Sequence, residues 1–275
     1  MAKKRLDVLL VEKGFAESRE RAKSIIMEGN VLVDESKIDK CGTLVKEESK
    51  IRLLKEDFPF VSRGGLKLKK AIESFNIKLE NKTAADIGAS TGGFTDCMLQ
   101  NKAAKVYAID VGYGQLAWKL RQDERVVNME RTNIRYVTEK DMPETLDFIS
   151  IDVAFISLKK VLLVAKKLLK DDGKIVALIK PQFEAGRENV GKKGVVKDAN
   201  IHMEVINDII TFCKEENLSV IDLTFSPIKG SEGNIEYLIY LEKNIDNDEN
   251  SDRKSDDEFC KKNIEITVRA AHENL

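Results

Sequence analysis

At 275 residues, with 42% apolar and 34% charged side chains, the chain has material for one medium domain plus a small one, and its composition is that of a soluble globular protein. A formal net charge of -1 excludes a uniformly basic or acidic protein, although Lys and Arg concentrate before residue 71 and Asp246, Asp248, Glu249, Asp252, Asp256 and Asp257 crowd the end. Cys41, Cys97, Cys213 and Cys260 form no close pair and no CxxC and only two histidines are present, which suggests neither a disulfide framework nor a metal site. No apolar run approaches the ~20 residues of a membrane helix, and Met1-Ala-Lys-Lys-Arg5 leads into an amphipathic segment rather than a signal-peptide core. A cytoplasmic protein with reduced thiols and no membrane partner is expected.

Leu6, Leu9 and Leu10 recur at helical spacing up to Gly14; Ser18 then caps a second predicted helix whose Ala22, Ile25 and Ile26 face inward before Gly29. Strands follow at Val31–Val33 and from Ser49 to Leu54, closing a small α+β domain over residues 1–60. Arg5, Arg19 and Lys23 are left on its outer surface, where they solubilise the helices or hold phosphates. The pattern Arg5-Leu-Asp-x-x-Leu, Ala16-Glu-Ser-Arg-Glu-x-Ala22 and Ile26-x-x-Gly29-x-Val-x-Val33 resembles the RNA-binding module named after ribosomal protein S-four, and that resemblance favours RNA contact.

From residue 83 the chain alternates strand and helix: strands at Thr83 to Ile87, Lys105 to Asp110, Arg125 to Asn128, Asp147 to Asp152 and Lys174 to Lys180. Alternation of this kind predicts a parallel sheet covered on both faces. Ser219 to Phe225 and Ile235 to Leu241 are joined only by a turn-rich stretch and predict an antiparallel hairpin. Five parallel strands plus that hairpin give an α/β, Rossmann-like seven-stranded sheet.

Ligands of such sheets bind beyond the carboxyl ends of the strands. There the first strand runs into Gly88-Ala-Ser-Thr-Gly-Gly93, and Asp110 ends the second, placed to accept hydrogen bonds from a ribose. The turn holds neither GxGxxG nor a Gly-Lys-Ser/Thr. Gly88-Ala-Ser90-Thr-Gly92 does read as GxSxG, with Asp152 and His202 following in hydrolase order, but His202 sits inside a helical pattern and no oxyanion segment precedes it. Trp118, among Leu116, Ala117 and Leu120, reads as core, and Phe183 to Asp198 reads as a mobile loop over the site.

Lys67, Asp152, Lys180 and Glu236 lie far apart in sequence, and three of them close or follow strands. Converging lysines and carboxylates are one way to hold a weakly nucleophilic hydroxyl and remove its proton; spacing alone equally allows two solvated salt bridges.

The motifs Val61-Ser-Arg-Gly-Gly-Leu-Lys-Leu68, Asp86-Ile-Gly-Ala-Ser-Thr-Gly-Gly-Phe-Thr95, Asp110-Val-Gly-Tyr-Gly-Gln-Leu116, Glu130-Arg-Thr-Asn133, Asp152 to Leu158, Lys180-Pro-Gln-Phe-Glu184 and Gly233-Asn-Ile-Glu236-Tyr occur in order. Together they resemble the TlyA family, the hemolysin-A-like ribosomal RNA 2'-O-methyltransferases, over residues 3 to 243. The resemblance implies an S-adenosylmethionine-dependent methyltransferase domain of the FtsJ/RrmJ type over 61–243, with ribosomal RNA in the ribosomal subunits as partner and a cytidine ribose as acceptor. It implies a catalytic set of Lys67, Asp152, Lys180 and Glu236. The cofactor set is Asp86, Gly88, Ser90, Gly92, Gly93 and Asp110, with Thr132 or Asn133 beside the adenine, and Asn133 is equally read as a helix cap. Arg63, Arg131 and Arg135 join Arg5, Arg19 and Lys23 as RNA contacts. Pore formation, which the hemolysin name suggests, and a non-catalytic assembly factor are the alternatives.

Two features depart from the family: residues 244–275 read as an acidic flexible linker to Asp257 followed by a short helix from Ile264, and Cys41 stands where a proline is usual.

Overall fold

The computed structural model describes residues 3–16, 18–27, 29–53, 59–243 and 253–275. The chain forms two units, Met1–Asp57 and Phe58–Leu275.

In the first unit β1 (Lys3–Arg5) leads into α1 (Leu6–Glu12) and α2 (Arg19–Met27), followed by β2 (Val31–Val33), β3 (Ser36–Ile38), β4 (Leu44–Lys46) and β5 (Ile51–Leu53). Ser18 Oγ accepts from the Arg21 N–H at 3.2 Å, and Leu6, Leu9, Leu10, Ala22, Ile25 and Ile26 pack on Val31, Val33 and Ile51. The sequence indicated two strands here, whereas β1 pairs with β4 and β3 pairs with β2 as well. These additional strands are three residues long, too short for any alternation to show. The β2–β3 hairpin turns on Asp34 and Glu35, both at positive φ. Leu54 lies outside the described residues.

The second unit begins with α3 (Gly65–Phe75) and continues through β6 (Thr83–Ile87), α4 (Gly93–Gln100), β7 (Lys105–Ile109), α5 (Trp118–Arg121), β8 (Val126–Met129), β9 (Leu146–Ile151), α6 (Leu158–Leu168) and β10 (Leu169–Ile179). It ends with α7 (Pro181–Glu184), α8 (Ala199–Glu215), β11 (Leu218–Phe225), β12 (Tyr237–Lys243) and α9 (Arg253–Asn274). Among the described residues the sheet runs β11-β12-β10-β9-β6-β7-β8; β8, β7, β6, β9 and β10 are parallel, and β12 lies antiparallel to both neighbours. This is the predicted seven-stranded α/β sheet. Alternate residues feed two cores. Ile87, Ile109, Ile149, Ile151 and Ile239 meet α6 and α8 on one face, and Ala84, Val106, Phe148, Val176 and Leu238 meet α3 and α4 on the other.

Three expectations change. Trp118 is 71% exposed rather than core, because Leu116 and Leu120 take the buried positions one turn apart and the residue midway between them faces out. The terminal helix starts at Arg253, well before Ile264, and Ile264, Val268 and Ala271 at i, i+4 and i+7 pack into the core, with α9 lying on α8 and β11. The rest of the expected linker, residues 244–252, lies outside the described residues. Finally, the stretch after Phe183 is pinned rather than loose. It carries a 3₁₀ turn at Arg187–Asn189, Val196 is buried, and its backbone bonds Asn234 and His202.

Candidate active site

β6, β9 and β10 end side by side, and the residues just past them wall one cavity of about 280 Å³. The turn after β6 contributes backbone. Gly88 sits at φ +86, and a Cβ there would meet the Asp152 carbonyl oxygen at 2.3 Å, so only glycine lets β6 and β9 close on each other at this point. Gly92, at φ +92, is needed for another reason: its Cβ would strike Leu120 at 2.2 Å.

Lys67, Asp152, Lys180 and Glu236 converge on this cavity. Lys67 comes from the first turn of α3, Asp152 follows β9, Lys180 caps α7 after β10, and Glu236 precedes β12. Lys180 Nζ lies 2.5 Å from Asp152 Oδ1, Asp152 Oδ2 accepts from Lys67 Nζ at 3.2 Å, and the same ammonium donates to Glu236 Oε2 at 2.6 Å. Two lysines and two carboxylates thus form one chain of alternating charge with no formal excess. Glu236 is 2% exposed, so the alternation is what makes its burial tolerable. Burial opposes the charge on Lys67, yet Asp152 and Glu236 override it and hold the lysine above its ordinary pKa. Burial likewise raises Asp152, but the Lys67 and Lys180 ammonium groups leave it below the usual carboxylate value. Gly230 completes the arrangement, since a Cβ there would fall 2.0 Å from Glu236 Oε1.

Of the expected cofactor residues, Asp86, Gly88, Ser90 and Gly93 line the cavity, whereas Gly92, Asp110 and Asn133 do not. Asp86 is buried and accepts from the Thr95 N–H at 2.8 Å and the Thr95 hydroxyl at 2.7 Å, fastening the start of α4. Its burial pushes its pKa up to about 7. Because the native state then holds the proton more tightly than the unfolded chain, with its ordinary 3.8, Asp86 costs stability as pH rises through this interval. Asp86→Asn keeps an acceptor for Thr95 and is therefore expected to raise Tm more at pH 8 than at pH 5, as thermal melts would register.

Asp110 accepts from the backbone N–H of Ser90 at 2.8 Å and of Gly112 at 2.7 Å, so it orders the loops on either side while its carboxylate stays half-buried. Glu130 clasps the same region. It accepts from the N–H groups of Gln115 and Leu116 and from Arg121, whose guanidinium is the main reason its pKa falls to about 2. Asn133 caps the following 3₁₀ turn, its Oδ1 accepting from the Arg135 N–H at 3.1 Å. The cap is the alternative that the sequence left open.

Arg63 is exposed and lines the cavity. Arg131 lies over the Tyr113 ring at 4.0 Å and Arg135 near Tyr136 at 5.5 Å; both are exposed and neither lines the cavity. In the first unit Arg5 and Arg19 are half-exposed, and their guanidinium groups both donate to the fully buried Asp7 at 3.0 Å, while Lys23 is half-buried. Arg5 and Arg19 therefore stay at the outer surface, as expected there, while each is anchored on Asp7. Hydrogen bonds from Arg5 and Arg19 hold the Asp7 carboxyl well below the carboxylate range, so much of their charge is committed inside the unit.

His202 is buried in α8, with Nδ1 2.7 Å from the Tyr237 hydroxyl and Nε2 3.0 Å from the Val196 carbonyl. It faces α9 and β12 partners rather than Ser90, and the hydrolase pattern has no geometric counterpart.

Sequence reasoning missed Phe155. It stands at φ +62 and 92% exposed, three residues past Asp152, with its ring 5.1 Å from that of Phe183. A bulky residue at positive φ is strained, and holding one out in solvent is a cost that packing does not explain. Glu184 secures this segment by accepting from the Leu158 N–H at 2.7 Å and the Ser157 hydroxyl at 2.8 Å. No spacing signal in the sequence marks such an outward ring.

Residues 60–243 match the FtsJ-like methyltransferase family and residues 4–51 the S4 domain. A Bacillus subtilis protein provisionally named rRNA methyltransferase YqxC is 52% identical over 240 residues, 87% of this chain and 85% of its own. The Mycobacterium tuberculosis 16S/23S rRNA (cytidine-2'-O)-methyltransferase TlyA is 39% identical over 243 residues, 88% of this chain and 91% of its own. A solved structure from Streptococcus thermophilus that carries a provisional hemolysin name is 45% identical, with a TM-score of 0.74 over 100% of this chain and 97% of that one. Among the described residues, no helix is long and apolar enough to cross a membrane. With an S4 domain ahead of an FtsJ-like methyltransferase domain, and relatives of this identity along most of its length, the chain belongs to the TlyA family of rRNA methyltransferases.

Proposed function

We propose that the protein transfers a methyl group from S-adenosylmethionine to a cytidine ribose 2'-hydroxyl in the RNA of the small ribosomal subunit, the large one, or both, and so acts in the cytoplasm. The observation that carries this is the Lys180, Asp152, Lys67, Glu236 chain lining a glycine-walled cavity.

The cavity suits the cofactor: the walls around Gly88, Ser90 and Gly93 are backbone or small side chains that let a ligand approach closely, and Asp110, fixed by two N–H groups beside Ser90, keeps lone pairs for ribose hydroxyls. When bound, S-adenosylmethionine supplies an electrophilic methyl on a sulfonium. The protein's own residues then have three tasks. Lys180, oriented by Asp152, stabilises as an ammonium the charge that develops on the 2'-oxygen or, once it has given up its own proton, accepts that of the 2'-hydroxyl. Lys67 remains an ammonium and, with Glu236, fixes the acceptor nucleotide. Arg63 holds its phosphate, and the first unit, residues 1–60, contributes further RNA contact through Arg5, Arg19 and Lys23.

Phe155 offers the acceptor base a stacking surface, with Phe183 behind it. Phe155→Ala is expected to lower kcat/KM for RNA roughly 5- to 150-fold, the effect of losing one base–aromatic stack worth about 1–3 kcal/mol, with Tm unchanged because the ring is already in solvent. An unaltered kcat/KM would remove Phe155 from the site.

The direct test is transfer of tritiated methyl to ribosomal subunits from a strain lacking this protein, followed by mapping of ribose positions resistant to alkaline cleavage. Label on the subunits at a ribose establishes the activity. Absence of label, together with leakage from liposomes in a parallel assay, would favour the pore-forming alternative.

A further inference from the structure

Gly191 to Gly194 close a tight turn: the Gly194 N–H donates to the Gly191 carbonyl at 2.8 Å, and the Gly191 N–H to the Val195 carbonyl at 3.1 Å. Its tip is Lys192-Lys193, both exposed, and among the described residues neither is in an ion pair. Adjacent like charges at a turn tip repel, and among the described residues no ion pair offsets them. The turn is nevertheless held firmly. Asn234, 2% exposed, donates to the Gly194 carbonyl at 2.9 Å and accepts from the Val196 N–H at 3.2 Å, and its own carbonyl accepts from Gly230 at 2.8 Å. Gly230 is part of the cavity wall and abuts Glu236. One buried amide therefore fastens the lysine tip to the loop that shapes the catalytic cavity. Lys197 and Lys229, both exposed, continue the positive edge on the two fastened loops. Of the carboxylates in these loops, Asp198 is occupied in capping α8, Glu188 lies against Gly186, and Glu232 sits on the far side of the Gly230 turn in sequence.

We propose that this turn is a docking finger for the phosphate backbone of the RNA strand that leads into the cavity, a role that rests on the rRNA methyltransfer reading. A fixed finger places phosphates in register with the acceptor ribose at little ordering cost, whereas lysines on a loose loop supply charge without register. Neither the turn nor Asn234 carries chemistry, so the finger is separable from catalysis.

The test uses the full-length protein and both ribosomal subunits from a strain lacking it, with Kd measured by co-sedimentation over a range of KCl concentrations and methyl transfer followed in parallel. For Lys192→Ala/Lys193→Ala the slope of log Kd against log salt is expected to fall by roughly 1.4, at about 0.7 for each single-strand phosphate no longer neutralised, with kcat at saturating subunits unchanged. Lys160→Ala/Lys167→Ala on α6, an equal removal of exposed charge elsewhere, is expected to leave the slope in place. An unchanged slope in the turn variant, or an equal fall in the α6 variant, overturns the finger even if methyl transfer is intact. A reduced slope confined to the turn variant supports it even if no methyl is transferred, in which case the catalytic reading alone fails.

Discussion

Lys180→Ala is expected to slow methyl transfer by roughly 10²- to 10⁴-fold, the range of a missing proton-transfer group, while the protein stays folded and still binds S-adenosylmethionine. Stability should survive because Asp152 keeps its second partner: with Lys180 gone, its Oδ2 remains 3.2 Å from Lys67. Cofactor binding should survive because the turn after β6 is fixed by Asp86 and Asp110, neither of which touches Lys180. Lys180→Arg separates the two roles open to this lysine. Arginine retains the positive charge but does not give up its proton near neutral pH; partial rescue by Arg therefore means electrostatic stabilisation of the alkoxide, and no rescue means a lysine base. Single-turnover methyl transfer checks both, and an undiminished rate in Lys180→Ala would remove Lys180 from the chemistry.

Lys67→Met should act on the fold as much as on the reaction. It strips Glu236, 2% exposed, of the ammonium 2.6 Å away and leaves a buried carboxylate alone, a destabilisation of about 3–5 kcal/mol. Adding Glu236→Gln removes that stranded charge, so the double variant is expected to regain most of the stability while remaining inactive. Urea unfolding of the two variants measures the difference; equal stabilities would show that the pair is not coupled. The pH dependence has a definite sign. Lys67, raised above its ordinary 10.5, contributes stability that is complete below that pH and is lost as pH climbs through the higher native value. Asp152, lowered from 3.8, contributes stability that is complete above 3.8 and is lost in more acid solution. The network is therefore expected to be intact across the whole neutral range.

Hydrophobic patterning along the chain was enough to identify the strongest elements and the order in which they come. Residues 84–87, 106–109, 148–151 and 175–179, within β6, β7, β9 and β10, are buried and mostly apolar, and each stretch is followed by a glycine or a charged residue, Gly88, Asp110, Asp152 and Lys180. The four charged residues were legible because each sits in a local motif. Short strands β1, β3 and β4 were not legible, since three residues hold no period. Trp118 and Phe155 show the limit in another way: composition assigns aromatic rings to the core, and only the packing of Leu116, Leu120 and Glu184 around their backbones turns these two outward.

How the charges share partners emerges only in three dimensions. Arg5 and Arg19 spend their guanidinium groups on Asp7, Asp152 bridges two lysines, and Asn234 ties the Lys192-Lys193 turn to the cavity wall. Within the network of Lys67, Asp152, Lys180 and Glu236 the partners are as far apart as Lys67 and Glu236, 169 residues along the chain. Periodicity reports only which face of an element is buried. Which ion meets which is fixed when the sheet sets the strand ends side by side, and at that point desolvation selects the pairing that leaves none of these four charges alone.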